Sequence, residues 1–368
     1  MQPSFSFSRQ TWQRLRKNKG ALFGLIIISL SILVSIFGYL IAPDGSPYAD
    51  LQTVEIQAKK PGYQQLFLKI PDAQIERTGW LTKLLEGSRE KFRYVPITSY
   101  AVTGDSLFVQ KYIDEDTSVM QNFSVSKLTG NRPAALIASN LVTKTYWLGT
   151  DKFGRDILSR LLIGTRVSLA VGLIAVIISL TIGIILGALA GYYRGKIDEG
   201  IMWLVNVTWS IPTLLLVFAI TMTLGKGFWQ IFIAVGLTMW VSVARLIRGQ
   251  VMALKELEYV QAAKALGLSD TRIIVRHILP NILGPVMVIA ASNFATAIII
   301  EAGLSFLGIG VQPPQPSWGL MIKENYNFII THNPMLALIP GFAIMLLVLA
   351  FNLLGNGLRD AVDVRTPL

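Results

Sequence analysis

Glu301 is the one ionisable residue inside any of this chain's long apolar runs. Burying a carboxylate in lipid is costly, so a residue kept there is a functional candidate by default. Placed at the end of its run and followed by Gly303, it could line a gate or receive a substrate amine; the alternative is an interfacial carboxylate standing in water. Ser292 and Asn293 deeper in that run, with Ser210 and Thr213 around Pro212, could face a polar pathway or satisfy backbone groups freed by a proline kink. Covalent chemistry has little to work with. There is no cysteine, hence no disulfide, thiolate metal site or thiol chemistry. His277 and His332 have no acidic or histidine neighbours at ligand spacing, and no Gly-rich loop ends in Gly-Lys-Ser or Gly-Lys-Thr to cradle phosphates. The chain is expected to be no enzyme and to hold no metal or cofactor; any nucleotide must be handled elsewhere.

The elements that position these residues are membrane segments. With 52% hydrophobic and 15% charged residues the composition lies outside the soluble range. Residues 21–42 are uncharged and at ~1.5 Å per residue reach roughly 33 Å, enough for a bilayer core. A cleaved signal peptide would have a shorter apolar region and a small-residue cleavage site, and Ile41-Ala42-Pro43 is a poor one. Further runs at about 168–190, 201–222, 228–243, 285–300 and 336–354 predict an all-α polytopic protein with six spans, the third broken by Pro212.

Lysine and arginine orient it. Arg9, Arg14, Arg16, Lys17 and Lys19, then Arg194 and Lys196, then Arg245, Arg248, Lys255, Lys264, Arg272 and Arg276, then Arg359 and Arg365 fall on one face; the short opposite loops carry only Lys226 and Lys323. The positive-inside rule makes that face cytoplasmic, with both termini (1–20 and 355–368) inside. The net charge of +11 is thus spread over loop ends beside spans, which suits anionic lipid headgroups and not nucleic acid.

Between the first two spans, residues 43–147 turn polar and aromatic, predicting an extracytoplasmic α+β or mainly β insert. Residues 92–100 and 106–113 flank Val102-Thr103-Gly104-Asp105 as a hairpin. The insert either contacts a delivery protein or caps a pore, or it is an elaboration packed on the outer membrane face. In 148–167, Ile157, Leu158, Leu161 and Leu162 share one helical face and Arg155, Asp156, Ser159 and Arg160 another, predicting an amphipathic helix along the bilayer interface before a five-helix core at 168–354. Pro313, Pro314 and Pro316 stiffen a loop ending in Trp318, as a lid over an outer mouth or as a connector anchored by tryptophan.

A polar island at 258–281, inside a loop at 248–283, interrupts the apolar runs. Residues 255–266 favour helix and Gly267 supplies a permissive end. Ser269 can cap a second helix, with Asp270 in its first turn, and Pro280 is expected to stop it. This is a surface loop with good helix propensity, or a docking knob made approachable by Ala262 and Ala263.

The island resembles the EAA loop of ATP-binding-cassette importer permeases, with Gln261, Ala262, Ala263, Gly267, Leu279 and Pro280 in register. Gln261 replaces the family's glutamate and His277 its branched apolar residue; Glu258, one turn earlier, could carry the charge. Residues 148–169 resemble the segment before the second span of dipeptide, oligopeptide and nickel permeases of the C type, through Gly149, Thr150, Asp151, Gly154, Arg155, Asp156, Ser159, Arg160, Gly164, Arg166, Ser168 and Leu169. Gly191-Tyr192-Tyr193 with Asp198, and residues 304–319, fit the same family, while Asn206 stands where an acidic residue is frequent. The resemblance is carried by the first span and by residues 148 onward, and is not expected to extend over 43–147.

The resemblance implies a permease subunit moving peptides, or a related solute such as a nickel complex, across the bacterial inner membrane. Implied partners are a second permease, two cytoplasmic ATPases carrying ATP and Mg, and an extracytoplasmic solute-binding protein. An ion-coupled secondary transporter would show inverted repeats and paired midplane charges, and neither is present. A non-transporting scaffold or sensor would explain the insert but not the matches outside it.

Overall fold

The computed structural model describes residues 7–71, 79–88, 91–129, 138–225, 227–330 and 333–362. Lys226, His332 and Arg365 lie outside them. The helices are α1 Phe7–Lys17, α2 Lys19–Ile41, α3 Trp80–Glu86, α4 Val125–Thr129, α5 Ile157–Tyr193, α6 Gly195–Ser210, α7 Thr213–Leu224, α8 Phe228–Lys255, α9 Glu258–Ala265, α10 Asp270–Ile273, α11 Leu283–Phe306, α12 Trp318–Asn325 and α13 Met335–Val362. Among the described residues, five helical stretches are long and apolar enough to cross a membrane. The count is six if α6 and α7, bent by 94° at their break, form one span. Pro212 sits at that break, where its missing N–H ends the hydrogen-bond ladder.

The chain divides into two compact units, 33–166 with 313–341, and 1–32 with 167–312 and 342–368. The first holds one antiparallel sheet of β1 Tyr63–Pro71, β2 Phe92–Thr103, β3 Ser106–Tyr112, β4 Ser118–Ser124 and β5 Leu141–Tyr146, ordered β4-β3-β2-β1-β5. The expected hairpin is formed, pairing Thr103 with Ser106 across Gly104-Asp105. Side chains alternate across a strand, so neighbours Phe67 and Leu68 serve opposite faces. Leu68 joins Val95, Ile97, Leu107 and Val109 in one apolar cluster, and Phe67 joins Ile56 and Tyr146 in another.

In the second unit α5 and α8 approach closely because Gly183, Gly187 and Gly191 recur every fourth residue, on one helical face. A Cβ at these positions would stand 2.4 Å from Val243 Cβ, 2.5 Å from the Ala244 carbonyl oxygen and 2.7 Å from that of Arg248. Small residues at four-residue spacing are what lets membrane helices bring their backbones together.

Three expectations are corrected. No separate interfacial helix forms over 148–167, because Ile157 begins a continuous helix to Tyr193. The polar residues that suggested a water-facing side are buried and paired instead. The helix does not stop where the fourth apolar run ends near 243; α8 continues to Lys255, so Arg245, Arg248 and the first residues of the expected 248–283 loop are helical. Nor does Pro280 stop the second short helix. From Asp270 to Phe306 the path stays helical, passing through a π turn, Ile274–Ile278, and a 3₁₀ turn, Leu279–Ile282. The wider turn precedes the proline, and Pro280 opens the 3₁₀ turn, where its absent N–H leaves less to satisfy.

Candidate functional site

The 258–282 segment is a knob fixed to the ends of α5 and α8. Val260, Ala263, Ile273, Ile274, Ile278 and Ile282 bury their side chains with Tyr192, Val243, Ile247 and Val251. Polar bonds reinforce the seat. The Tyr192 hydroxyl donates to Asp270 Oδ1 at 2.6 Å, Lys255 Nζ to the Tyr192 carbonyl at 2.6 Å, and Gln261 Nε2 to the Lys255 carbonyl at 2.9 Å. That last bond gives Gln261 a local purpose: an amide can donate to the end of α8, which an ionised glutamate cannot.

Gly267 turns the chain between α9 and α10 with φ +78° and open space around its α-carbon. Ser269 occupies the N-cap position of α10 without a side-chain capping bond. Ala262 faces solvent while Ala263 is buried, so only one of the pair is available to a partner. Glu258 is exposed in the first turn of α9. Leu266 is 81% exposed, and Tyr259 and Val275 are exposed as well. Leu279 is half-buried and Pro280 exposed. The knob thus presents apolar side chains on a base packed and hydrogen-bonded against α5 and α8.

A second constellation lies where α5 begins. Asp156 caps the helix, its Oδ2 accepting the Ser159 N–H at 2.8 Å and the Ser159 hydroxyl. Ser159 Oγ in turn accepts the Asp44 N–H at 2.8 Å. Arg155, 2% exposed, donates to three carboxylates: Asp151 at 2.6 Å, Glu324 at 2.7 Å and Asp50 at 3.0 Å. Arg160 lies 3.3 Å from Glu324 and is equally buried. Gly154 (φ +72°) lets Asp151 and Arg155 fold back on each other, with Asp151 Oδ1 taking the Arg155 N–H at 3.0 Å. Burial pushes the Asp156 carboxyl above the usual range, against two hydrogen bonds from Ser159 and with help from Asp44. Most of these side chains bond one another and so clamp the start of a long helix, while Asp156 Oδ1 and Arg160 Nη1 have no hydrogen-bond partner among the described residues.

Residues 183–366 match the family described as binding-protein-dependent transport system inner membrane component, and residues 6–61 match the N-terminal TM domain of oligopeptide transport permease C, which corrects the expectation for 43–61. The chain belongs to the first of these families. It is 44% identical over 221 residues to the glutathione transport system permease protein GsiD of Pectobacterium atrosepticum, covering 60% of this chain and 73% of that protein. The dipeptide permease protein DppC of Alkalihalophilus pseudofirmus is 45% identical over 218 residues, 59% of this chain and 71% of the relative. The oligopeptide permease protein OppC of Bacillus subtilis is 40% identical over 221 residues, 60% and 72%. This is therefore a multi-pass inner-membrane permease of the ATP-binding-cassette class.

Other predicted residues of the permease fall in less open places. Glu301 is fully buried, and so is no interfacial carboxylate in water; its Oε1 accepts the Ser305 hydroxyl at 2.7 Å, and Ser305 Oγ accepts the Val311 N–H at 3.0 Å. The acid ties the following loop to α11. Asn293 is buried, with Nδ2 3.5 Å from Ser179 Oγ. Ser210, beside Pro212, donates to the Val207 carbonyl and so serves its own helix. Trp318 is not a free lid: it is 4% exposed, lies against Gly164, and donates to the Leu161 carbonyl at 3.0 Å. Arg166 donates to the carbonyls of Ser35, Ile36, Leu84 and Leu85.

Sequence reasoning missed Asp50, Glu324 and the Tyr192–Asp270 pair. Glu324 is 169 residues from Arg155 and carries no local signal. Sequence reasoning missed the Gly183, Gly187 and Gly191 stripe too, although the four-residue period is a local signal that could have found it.

Proposed function

We propose that the chain is the C-type permease subunit of an ATP-driven importer for peptides, or for a related solute such as a nickel complex, working beside a second permease, two cytoplasmic ATPases and an extracytoplasmic binding protein. The observation that carries this reading is the knob: an outward apolar surface whose base is packed on α5 and α8 and whose chain continues helically into α11. A push on such an element reaches three spans at once. The names of the relatives, for dipeptides, oligopeptides and glutathione, support peptide-like cargo.

In this reading α6 and α7 together make the third of six spans, the basic loop ends face the cytoplasm with both termini and the knob, and the insert at 43–147 is external. ATP and Mg bind in the partner ATPases. Closure of the ATPases draws the two permeases' knobs together, and the spans rock to expose the pathway outward. Glu258, with Leu266 and Ala262, forms the docking surface. Glu301 and Asn293 line the buried side of the helix that moves.

The test is reconstitution of the permease with its co-encoded partners in sealed vesicles, measuring uptake of a labelled dipeptide. Uptake requiring both ATP and the binding protein is expected. Uptake driven by an ion gradient without ATP would overturn the reading in favour of a secondary transporter.

A further inference from the structure

Helix α3, in the insert, has the sequence WLTKLLE. At helical spacing Trp80, Leu81, Leu84 and Leu85 share one face, and Thr82, Lys83 and Glu86 the other. The apolar face is not covered by protein: Trp80 is 74% exposed, Leu81 53% and Leu85 61%. A two-turn helix with a bare tryptophan and two bare leucines is costly to hold in water.

Its position says what covers it. The Arg166 guanidinium donates both to the Leu84 and Leu85 carbonyls, at the end of α3, and to the Ser35 and Ile36 carbonyls in α2. The Ser88 N–H donates to the Gly45 carbonyl at 2.9 Å, and a Cβ at Gly87 would lie 3.0 Å from the Tyr39 ring. α3 is therefore pinned beside the last turns of the apolar helix α2. Ser35 and Ile36 precede its end at Ile41 by a few residues, which at ~1.5 Å each is about 8–9 Å. The neighbouring Ile36, Phe37, Leu40 and Ile41 are exposed in the same way, as side chains facing lipid are. Interfacial amphipathic helices bury their apolar face about 5–10 Å into the headgroup and acyl boundary, the same depth.

We propose that α3 is a membrane-interface anchor, seating Trp80, Leu81 and Leu85 in the leaflet at the carboxyl end of α2 and leaving Thr82, Lys83 and Glu86 among headgroups. The occupant is lipid, because the bare face continues the lipid-facing surface of a spanning helix. Lys83 and Glu86 cancel in charge, so the anchor works by apolar burial and does not depend on anionic lipid.

The absence of native cysteine allows a direct test on the full chain in phosphatidylcholine vesicles, with and without phosphatidylglycerol. Spin labels at Leu81→Cys, Leu85→Cys, Thr82→Cys and, as the lipid reference, Phe37→Cys report collisions with oxygen and with a water-soluble nickel chelate. Nickel collisions at Leu81→Cys and Leu85→Cys are expected to fall to the Phe37→Cys level in both lipid mixtures, and to stay high at Thr82→Cys. Equal nickel access at 81, 82 and 85 would overturn the proposal. So would labels at 81 and 85 that meet nickel freely in vesicles and are shielded only when the binding protein is added, which would assign the face to a protein partner.

Discussion

The Tyr192 hydroxyl, at the end of α5, donates to the Asp270 carboxylate at the start of α10, at 2.6 Å. This bond joins the 258–282 knob to α5 through a residue pair 78 positions apart. Tyr192→Phe keeps the ring and its packing and removes the bond, at a cost of about 1.5–3 kcal/mol for a hydrogen bond to a charged group. In reconstituted vesicles the transporter assembled with this variant is expected to hydrolyse ATP, in its ATPase subunits, at or above the normal rate while moving less solute per ATP. A transport-to-hydrolysis ratio equal to that of the unaltered chain would remove this pair from the coupling route.

Gly267 gives a sharper discrimination, because its φ of +78° and the open space around it separate backbone strain from crowding. A β-branched residue held there costs about 1–3 kcal/mol, whereas asparagine visits this region readily. Gly267→Val should therefore uncouple hydrolysis from uptake while leaving the protein in the membrane, and Gly267→Asn should transport nearly normally. Two variants with equal uptake would mean that the turn's handedness is immaterial.

How much of this was readable depended on how local the cause was. The Gly104-Asp105 hairpin and the Gly267 turn were legible because a turn residue and its flanking pattern lie within a few positions. The start of α5 is not legible in the sequence for the opposite reason. Arg155, Asp156, Ser159 and Arg160 look water-facing by type, and the carboxylates that neutralise the arginines include Asp50 and Glu324, 105 and 169 residues from Arg155. Helical spacing alone cannot reveal a partner at that separation. Pro280 was misread because the rule that proline ends a helix assumes a regular α ladder, and the π turn before it and the 3₁₀ turn it opens relax that condition.

Asp156 makes the start of α5 sensitive to pH. Burial, the largest influence, raises its folded-state pKa above the unfolded value. The stability it contributes is therefore fully present below the unfolded pKa of about 3.9 and is lost as pH rises through the folded value. Asp156→Asn keeps a capping side chain and removes the titration. Thermal unfolding in detergent from acid to neutral pH should show the variant gaining on the unaltered chain as pH rises. A gap that is constant with pH would contradict the assignment.

If the 258–282 knob is the seat of an ATPase, its exposed tip must touch that subunit. The most direct measurement places a photoreactive benzophenone on Leu266→Cys, a single thiol in a chain with none and a side chain 81% exposed, and illuminates the assembled transporter. A covalent adduct with the ATPase subunit is predicted. An adduct with the extracytoplasmic binding protein, or none with the ATPase in an assembly that transports, would contradict it.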